Sequence, residues 1–163
     1  MKIEFLENEQ HLSFNKQDIL IIDPCYIDGE LETSWSEFCD KMADFTNNYS
    51  RRLHNVCVLN DDIKLLVVDT AYGDGCYRFN PTGLSDDRYV GTECGVDAGM
   101  LCVISLEDAK KLNPNVDTTS GVVVKNFSYD VNSDGKGNII SPSFEIYTDD
   151  SDIENDDDDD DFY

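Results

Sequence analysis

The chain has 163 residues, of which 40% are apolar and 10% aromatic. That is enough for one domain with a hydrophobic core and too little for two. The formal charge is −23, and residues 1–147 hold 25 acids against 12 bases, so a net charge of −13 remains without the acidic C-terminal residues. Such a field attracts basic protein surfaces or cations and repels phosphates, so we expect no direct nucleic-acid binding and no membrane partner.

The expected compartment follows from the first residues and the cysteines. The first ten residues include three acids, unlike a signal peptide, and no apolar run has membrane-spanning length. The six cysteines form no C-x-x-C pair, and several lie in apolar strand patterns or on a helix face. We therefore expect a cytoplasmic protein with reduced thiols and without a disulfide framework.

The first half of the chain contains a strand pattern and a helix pattern. Asp18–Asp23 is an apolar run between acids, typical of a strand buried on both faces, and Pro24 ends it. Ser34 and Glu37 have the spacing of a capping box, and the apolar residues that follow at helical spacing predict an amphipathic helix over residues 35–47.

The remaining segments complete the predicted fold. The predicted elements are a short strand at Lys2–Leu6, a hairpin of Asn55–Leu59 and Ile63–Val68, a strand at Gly75–Phe79, a polar loop at Pro81–Gly91, a strand at Met100–Ile104, a short helix after Ser105, and a last hairpin of Gly121–Val131 and Ile139–Tyr147. We predict an α+β fold: a largely antiparallel sheet of seven or eight strands with one longer amphipathic helix and one short helix, in a single domain over residues 1–147. Residues 148–163 are predicted to be an acidic, disordered tail.

Aspartates near glycines stand at the ends of predicted strands. If these strand ends converge, they would chelate a hard cation such as Mg²⁺ or bind a hydroxyl-rich ligand. The candidate residues for such a site are Asp69, Tyr72, Asp74, Tyr77 and Asp97. The alternative is that each aspartate, like Asp23 at another strand end, caps a turn or accepts backbone N–H bonds.

Residues 130–138 have the pattern of the front half of a calcium loop, with glycine at its sixth position. The candidate ligands at its first, third, fifth and ninth positions are Asp130, Asn132, Asp134 and Asn138. The twelfth position is Ser141 rather than an acid, and the flanks have strand patterns. The alternative is a hairpin turn rich in Asp, Asn and Gly. Apart from Ca²⁺ at this loop and Mg²⁺ at the aspartates, no cofactor is predicted.

Few residues are suited to catalysis. His11 and His54 are the two histidines, and neither lies in a recognisable constellation. Cys25 lacks the positive neighbours that lower a thiol pKa, and no phosphate-binding glycine pattern is present. These observations favour a protein without enzymatic activity, but the sequence alone does not decide the question.

The acidic tail ends in aromatic residues. A basic partner is expected to bind it, with the aromatic side chains as anchors. The residues expected to contact this partner are Asp156, Asp157, Asp158, Asp159, Asp160, Asp161, Phe162 and Tyr163. The alternative is a solvated tail that only aids solubility.

Three short motifs follow one another along the chain. They are Asp23-Pro-Cys-Tyr26, Thr70-Ala-Tyr-Gly-Asp-Gly-Cys-Tyr77 and Gly95-Val-Asp-Ala-Gly-Met100. Over residues 18–147 the chain resembles a group of small uncharacterised phage and bacterial proteins that share this motif order and a late acidic hairpin. The resemblance implies a cytoplasmic protein that we expect to be phage-encoded, and it implies no particular activity.

These observations lead to two functional expectations. The first is a non-enzymatic acidic protein that binds or inhibits a basic host protein, with nucleic-acid-binding proteins among the targets because rows of carboxylates imitate a phosphate backbone. The alternative is a small-ligand or cation-binding domain, with or without catalysis, that uses Asp69, Asp74 and Asp97.

Overall fold

A seven-stranded antiparallel sheet crosses the middle of the protein, with a hydrophobic core on each of its faces. The structure is a computed structural model and describes residues 1–149. The described residues form a mixed α+β fold in one domain, so the predicted fold class is confirmed.

Most strands are short. In chain order they are β1 (Ile3–Phe5), β2 (His11–Ser13), β3 (Gln17–Ile22), β4 (His54–Leu59), β5 (Ile63–Asp69), β6 (Gly75–Arg78), β7 (Asn80–Pro81), β8 (Tyr89–Val90), β9 (Glu93–Val96), β10 (Met100–Ser105), β11 (Val122–Phe127), β12 (Asp130–Ser133), β13 (Ile139–Ile140) and β14 (Phe144–Ile146). The α-helices are α1 (Glu30–Thr33), α2 (Trp35–Phe45) and α3 (Leu106–Leu112). Two short 3-10 helices lie at Pro24–Tyr26 and Asp86–Arg88.

The strands are arranged in three sheets. The large sheet has the order β1-β4-β5-β10-β3-β11-β8, a second sheet has the order β2-β12-β13-β14-β7, and β6 pairs with β9. All of these pairings are antiparallel. The predicted hairpin is confirmed as β4–β5. Residues 1–149 form more strands than the seven or eight predicted, because strands of two or three residues are too short to show an alternating pattern.

Strand β3 contributes side chains to both cores. Ile19 and Ile21 belong to the core on the side of the second sheet, whereas Leu20 and Ile22 belong to the core beneath the helices. All four side chains are fully buried, as the apolar run predicts. Burial of each such side chain contributes about 1.5–3 kcal/mol, so the centre of the large sheet is a main source of stability.

The helical segment begins earlier than predicted. α1 precedes α2, and Ser34 joins them with its N–H donating to the Glu30 carbonyl at 3.2 Å. The Ser34 side chain makes no capping hydrogen bond, so the predicted capping box is wrong. The reason is conformational: Ser34 has φ −103° and ψ 17°, whereas a capping residue usually has extended backbone. The helix ends before Asn47 and Asn48, which take left-handed conformations.

The predicted last hairpin forms next to its turn, where β12 pairs with β13, but the predicted pairing does not extend to β11. β11 pairs with β3 and β8 in the large sheet, whereas β12 pairs with β2 and β13 in the second sheet. The register of β11 against β3 shifts between Val124 and Phe127, and Asn126 has a φ of 52°. Asparagine tolerates this left-handed conformation, and the resulting bulge bends the strand before β12.

Thr148, which the sequence assigns to the tail, is fully buried in the domain. Its N–H donates to Asn138 Oδ1 at 2.8 Å, and its hydroxyl donates to the Gly137 carbonyl at 2.6 Å. The same hydroxyl accepts a hydrogen bond from the Ala71 N–H at 2.9 Å. Glycine is required at position 137, because φ is 97° and a Cβ would lie 2.6 Å from Thr148 Oγ1.

Candidate functional site

A buried carboxylate, Asp23, connects the turn after β3 to the turn before β10. Asp23 Oδ1 accepts a hydrogen bond from the Cys25 N–H at 2.9 Å. Asp23 Oδ2 accepts from the N–H groups of Asp97 and Ala98 at 2.8 and 2.6 Å. A carboxylate is a strong acceptor for backbone N–H groups. Asp23 therefore has the structural role, accepting backbone N–H bonds, that was the alternative to ligand binding for the aspartates at strand ends.

The β6–β9 ribbon brings Asp74 and Asp97 to the same turn region. The ladder ends with Gly75 paired with Val96. Asp74, which precedes Gly75, and Asp97, which follows Val96, therefore both adjoin this end of the ribbon, and both are exposed. The Tyr26 hydroxyl donates a hydrogen bond to Asp97. This bond is the main cause that raises the pKa of Tyr26 to about 12. Asp97 is therefore already bound by a side chain of the protein.

The remaining predicted site residues occupy different environments. Tyr77 is buried, and its hydroxyl donates to the Gly73 carbonyl at 2.9 Å, so it stabilises its own turn. Tyr72 is an exposed aromatic side chain. Asp69, at the end of β5, lines two adjoining clefts on the helix side of the large sheet. The predicted residues thus lie in two places, at the β6–β9 turn and in the cleft at Asp69.

The apolar half of the cleft at Asp69 lies between α2 and the start of β10. Its volume is about 490 Å³, and its lining consists of Trp35, Cys39, Met42, Tyr49, Asp69, Ala98 and Met100. The indole of Trp35 stacks on the ring of Phe38, with centroids 5.3 Å apart, and this contact restrains its orientation. The volume falls within the range of about 300–1,000 Å³ that small-molecule sites usually have.

The polar half of the cleft adjoins the apolar half at Tyr49 and Asp69. It has a volume of about 300 Å³, and its other lining residues are Ser50, Arg51, Arg52, Thr70 and Gly99. Arg51 is occupied, because it donates to both Glu7 carboxylate oxygens at 3.0 and 3.1 Å and lies over the ring of Phe45. Arg52 is exposed and donates to the Asp69 carbonyl at 3.3 Å. Of the two arginines in the described lining of this half, Arg52 is therefore the one available to a ligand.

Asp69 stands where the two halves meet. Its Oδ2 accepts a hydrogen bond from the Leu53 N–H at 2.8 Å. Burial raises the pKa of the Asp69 carboxyl, while the Leu53 N–H and then the charge of Arg52 oppose this shift. Oδ1 takes no part in the hydrogen bonds described for residues 1–149, so it is available to accept one from a ligand.

The candidate calcium ligands are divided between β12 and the turn that follows it. Asp130 on β12 accepts a hydrogen bond from the Ser13 hydroxyl at 2.5 Å. Burial raises the pKa of Asp134, but hydrogen bonds from Lys136 and Asn138 outweigh it and lower the pKa. Within residues 1–149, no group of three or more His, Cys, Asp or Glu side chains is arranged to hold a metal ion. Asp134 thus stabilises the turn, and calcium binding stays a prediction.

Cys25 and Cys94, which lie in or beside the motifs, are poor nucleophiles. Burial, followed by the charge of Asp23, raises the pKa of Cys25 to about 12. Burial also raises the pKa of Cys94 to about 12. Because the thiolate is the reactive form, thiols with such pKa values react slowly at neutral pH.

The solvent side of α1 and α2 carries a row of carboxylates, which we call the acidic face. It consists of Glu30, Glu32, Glu37, Asp40 and Asp44, all exposed, with Lys41 as its one base. None of these five carboxylates takes part in the ion pairs described for residues 1–149. Within α2, at a rise of about 1.5 Å per residue, Glu37, Asp40 and Asp44 are spread over about 10 Å of the helix axis, which gives about one carboxylate per 5 Å.

Two cleft residues had no functional signal in their local sequence. Trp35 belongs to the apolar stripe of an amphipathic helix, and such stripes usually form the core. Arg52 belongs to a short basic stretch in an acidic chain, and its position beside Asp69 depends on the fold. The signal that distinguishes them is composition, because the chain has one tryptophan and only 12 lysines and arginines.

Three further findings bear on function. The tail residues predicted to bind a partner lie outside the described residues. Among the helices of residues 1–149, none combines the length and apolar character needed to cross a membrane. Comparison of the chain with protein-family models, curated proteins and solved structures found no match.

Proposed function

We propose that the protein binds a basic protein surface through the acidic face. One observation carries this proposal: five exposed carboxylates stand on one helical segment with a single lysine and without ion-pair partners among residues 1–149. Carboxylates that are not neutralised locally add to the negative potential of the whole chain. Such a potential steers a basic partner and selects against acidic ones.

A nucleic-acid-binding host protein is the partner class that we propose. Along α2 the acidic face has about one carboxylate per 5 Å, compared with one charge per about 3.4 Å along a single nucleic-acid strand and about 1.7 Å along a duplex. The spacing is therefore closer to that of a single strand. We propose that the protein inhibits such a partner by occupying its basic groove, in keeping with the implied phage origin.

A pair of charge-reversal variants tests the acidic face. The first is the double variant Glu37→Lys with Asp40→Lys, which reverses two charges of the acidic face. The second, the control, is Asp86→Lys with Glu93→Lys, which makes the same change in net charge at exposed positions near the opposite edge of the large sheet. We expect the first variant to bind protamine, an arginine-rich protein, at least about tenfold more weakly than the second, a difference of about 1.4 kcal/mol. Isothermal titration calorimetry at low and high salt measures both.

Two outcomes would contradict the acidic-face proposal. Equal weakening in both variants would mean that only the net charge of the protein matters. Affinity that does not change with salt would mean that the contact is not electrostatic, because screening weakens attraction between exposed charges.

A second proposal is a small-ligand site, and the cleft at Asp69 favours it. The observation is that Asp69 borders both an apolar and a polar cavity of suitable volume. Asp74 and Asp97 lie at the neighbouring turn, so this proposal centres on Asp69 rather than on the three aspartates together. A small molecule that raises the Tm of the wild type but not of Asp69→Asn would support it, and an equal rise in both would count against it.

A further inference from the structure

A strained loop holds Tyr49 at the junction between the two halves of the cleft. Asn47, Asn48 and Tyr49 have successive φ values of 55°, 57° and 65°. Asparagine tolerates this left-handed conformation, but tyrosine has a steric cost there, and the Tyr49 side chain remains 62% exposed. Its N–H donates to Thr46 Oγ1 at 3.0 Å, which helps to hold the turn. Backbone strain beside a cleft is typical of ligand-binding segments.

Two opposite charges stand at this junction without pairing directly. The Arg52 guanidinium donates to the main-chain carbonyl of Asp69, and no ion pair between these two side chains is among those of residues 1–149. A guanidinium has five N–H donors and binds a carboxylate through two of them. Asp69 Oδ1 is available as an acceptor, because the Leu53 N–H is bound to Oδ2.

An α-amino acid carries groups that match both charges. Its ammonium and carboxylate are attached to one carbon atom. The two charges of the cleft are likewise associated with one residue, because Asp69 carries the carboxylate and its carbonyl is bound by Arg52. A simple anion would be repelled by the Asp69 carboxylate, and a simple amine would be repelled by Arg52. The zwitterion satisfies both groups, and it has no net charge for the negative field of the protein to repel.

The apolar half of the cleft determines the side-chain class. Trp35, Met42 and Met100 line it, and its volume of about 490 Å³ accommodates a phenyl or branched alkyl group. The restrained indole of Trp35 offers a surface for an aromatic ring. Methionine side chains adapt to irregular apolar shapes. This lining favours a large apolar side chain over a small or charged one.

We propose that the cleft at Asp69 binds an α-amino acid with a large apolar side chain. The ammonium binds Asp69 Oδ1, the carboxylate binds Arg52, and the side chain packs against Trp35. This inference rests on the small-ligand site proposed above and assigns its ligand class.

Calorimetric titration of the full chain with three probes tests the ligand class. The probes are L-phenylalanine, phenethylamine, which lacks the carboxylate, and 3-phenylpropionate, which lacks the ammonium. We expect L-phenylalanine to bind at least about tenfold more tightly than either of the others, because each lacks one charge-assisted contact.

Variants assign each contact to its residue. Arg52→Gln is expected to weaken L-phenylalanine at least about tenfold and to leave phenethylamine unchanged or tighter. Asp69→Asn keeps an acceptor for the Leu53 N–H, and it is expected to weaken L-phenylalanine while leaving 3-phenylpropionate unchanged or tighter. Arg78→Gln, at an exposed arginine on β6 outside the cleft lining, is the matched control and is expected to change neither. An unchanged Tm in each variant shows that the fold is intact.

The possible failures are distinguishable. If phenethylamine or 3-phenylpropionate binds as tightly as L-phenylalanine, the small-ligand site stands and the amino-acid assignment is wrong. If none of the three probes binds to the folded wild type, the amino-acid assignment is overturned, whereas the small-ligand site is judged by its own test, the comparison of Tm between the wild type and Asp69→Asn. Equal weakening of L-phenylalanine in Arg52→Gln and Arg78→Gln would also overturn the assignment.

Discussion

Replacing Asp23 with alanine removes the acceptor of three backbone hydrogen bonds in the protein interior. The N–H groups of Cys25, Asp97 and Ala98 donate to this carboxylate at 2.6 to 2.9 Å. A hydrogen bond to a charged group contributes about 1.5–3 kcal/mol. Bonds that share one acceptor are not additive, so we expect the free energy of unfolding to fall by about 3–5 kcal/mol in all.

Urea and thermal unfolding measure this loss. For a chain of this length each kcal/mol shifts the Tm by about 2–4 °C, so we expect the Tm to fall by about 10 °C. Asp97→Ala is the matched control, because within residues 1–149 only the Tyr26 hydroxyl is hydrogen-bonded to its exposed side chain, and we expect a loss below about 1 kcal/mol. If Asp23→Ala is no less stable than Asp97→Ala, these three hydrogen bonds do not hold the two turns together.

Three further predictions concern stability. Ser105 accepts the Asp108 N–H at 3.0 Å at the start of α3, so Ser105→Ala is expected to lower the free energy of unfolding in urea by about 1 kcal/mol. Gly137→Ala is expected to lower the Tm more than Gly135→Ala, because both positions have positive φ but only the Cβ at 137 would meet atoms closer than 3 Å. Burial raises the pKa of Asp69, so the folded protein holds this proton more tightly than the unfolded chain. The Asp69 carboxyl therefore contributes its full stabilisation at pH values below its pKa in the unfolded chain, about 3.9. This contribution is lost as the pH rises through the higher pKa of the folded state. The stability of Asp69→Asn relative to the wild type should increase over that pH range in urea unfolding.

Each of these three predictions has a result that would contradict it. An unchanged urea midpoint in Ser105→Ala would mean that α3 does not need its cap. Equal melting of the two glycine variants would mean that Thr148 is not packed against position 137. A stability difference for Asp69→Asn that is independent of pH would mean that the Asp69 carboxyl is not desolvated.

Strands buried on both faces were predictable from the sequence, because their apolar runs have no other stable environment. Gln17–Ile22 and Met100–Ser105 match their predicted positions closely. The two-residue strands β7 and β8 were not predictable, because their partners β14 and β11 are distant in sequence. Ser34 shows a different limit: its pattern fits a capping box, but Leu31 is buried in the helical core and holds a helical turn in front of it.

For the candidate sites, the sequence indicated which aspartates stand at strand ends but not what each one contacts. Asp23 meets the N–H groups of Asp97 and Ala98 because β3 pairs with β10, a contact between distant segments. The position of Arg52 beside the Asp69 carbonyl likewise depends on tertiary structure. The acidic face was visible only as overall charge until the positions of the helices showed which carboxylates share a surface.

Hydrogen exchange of the full chain, free and bound to protamine, tests the acidic-face proposal most directly. We predict slower exchange of the backbone amides of Trp35–Phe45 on binding, because a ligand that binds the folded helix suppresses its local opening. The amides of the β6–β9 ribbon serve as the internal control and should exchange as before. Protection on that ribbon or spread evenly over the sheet, with α2 unchanged, would contradict the proposal that the acidic face binds basic proteins.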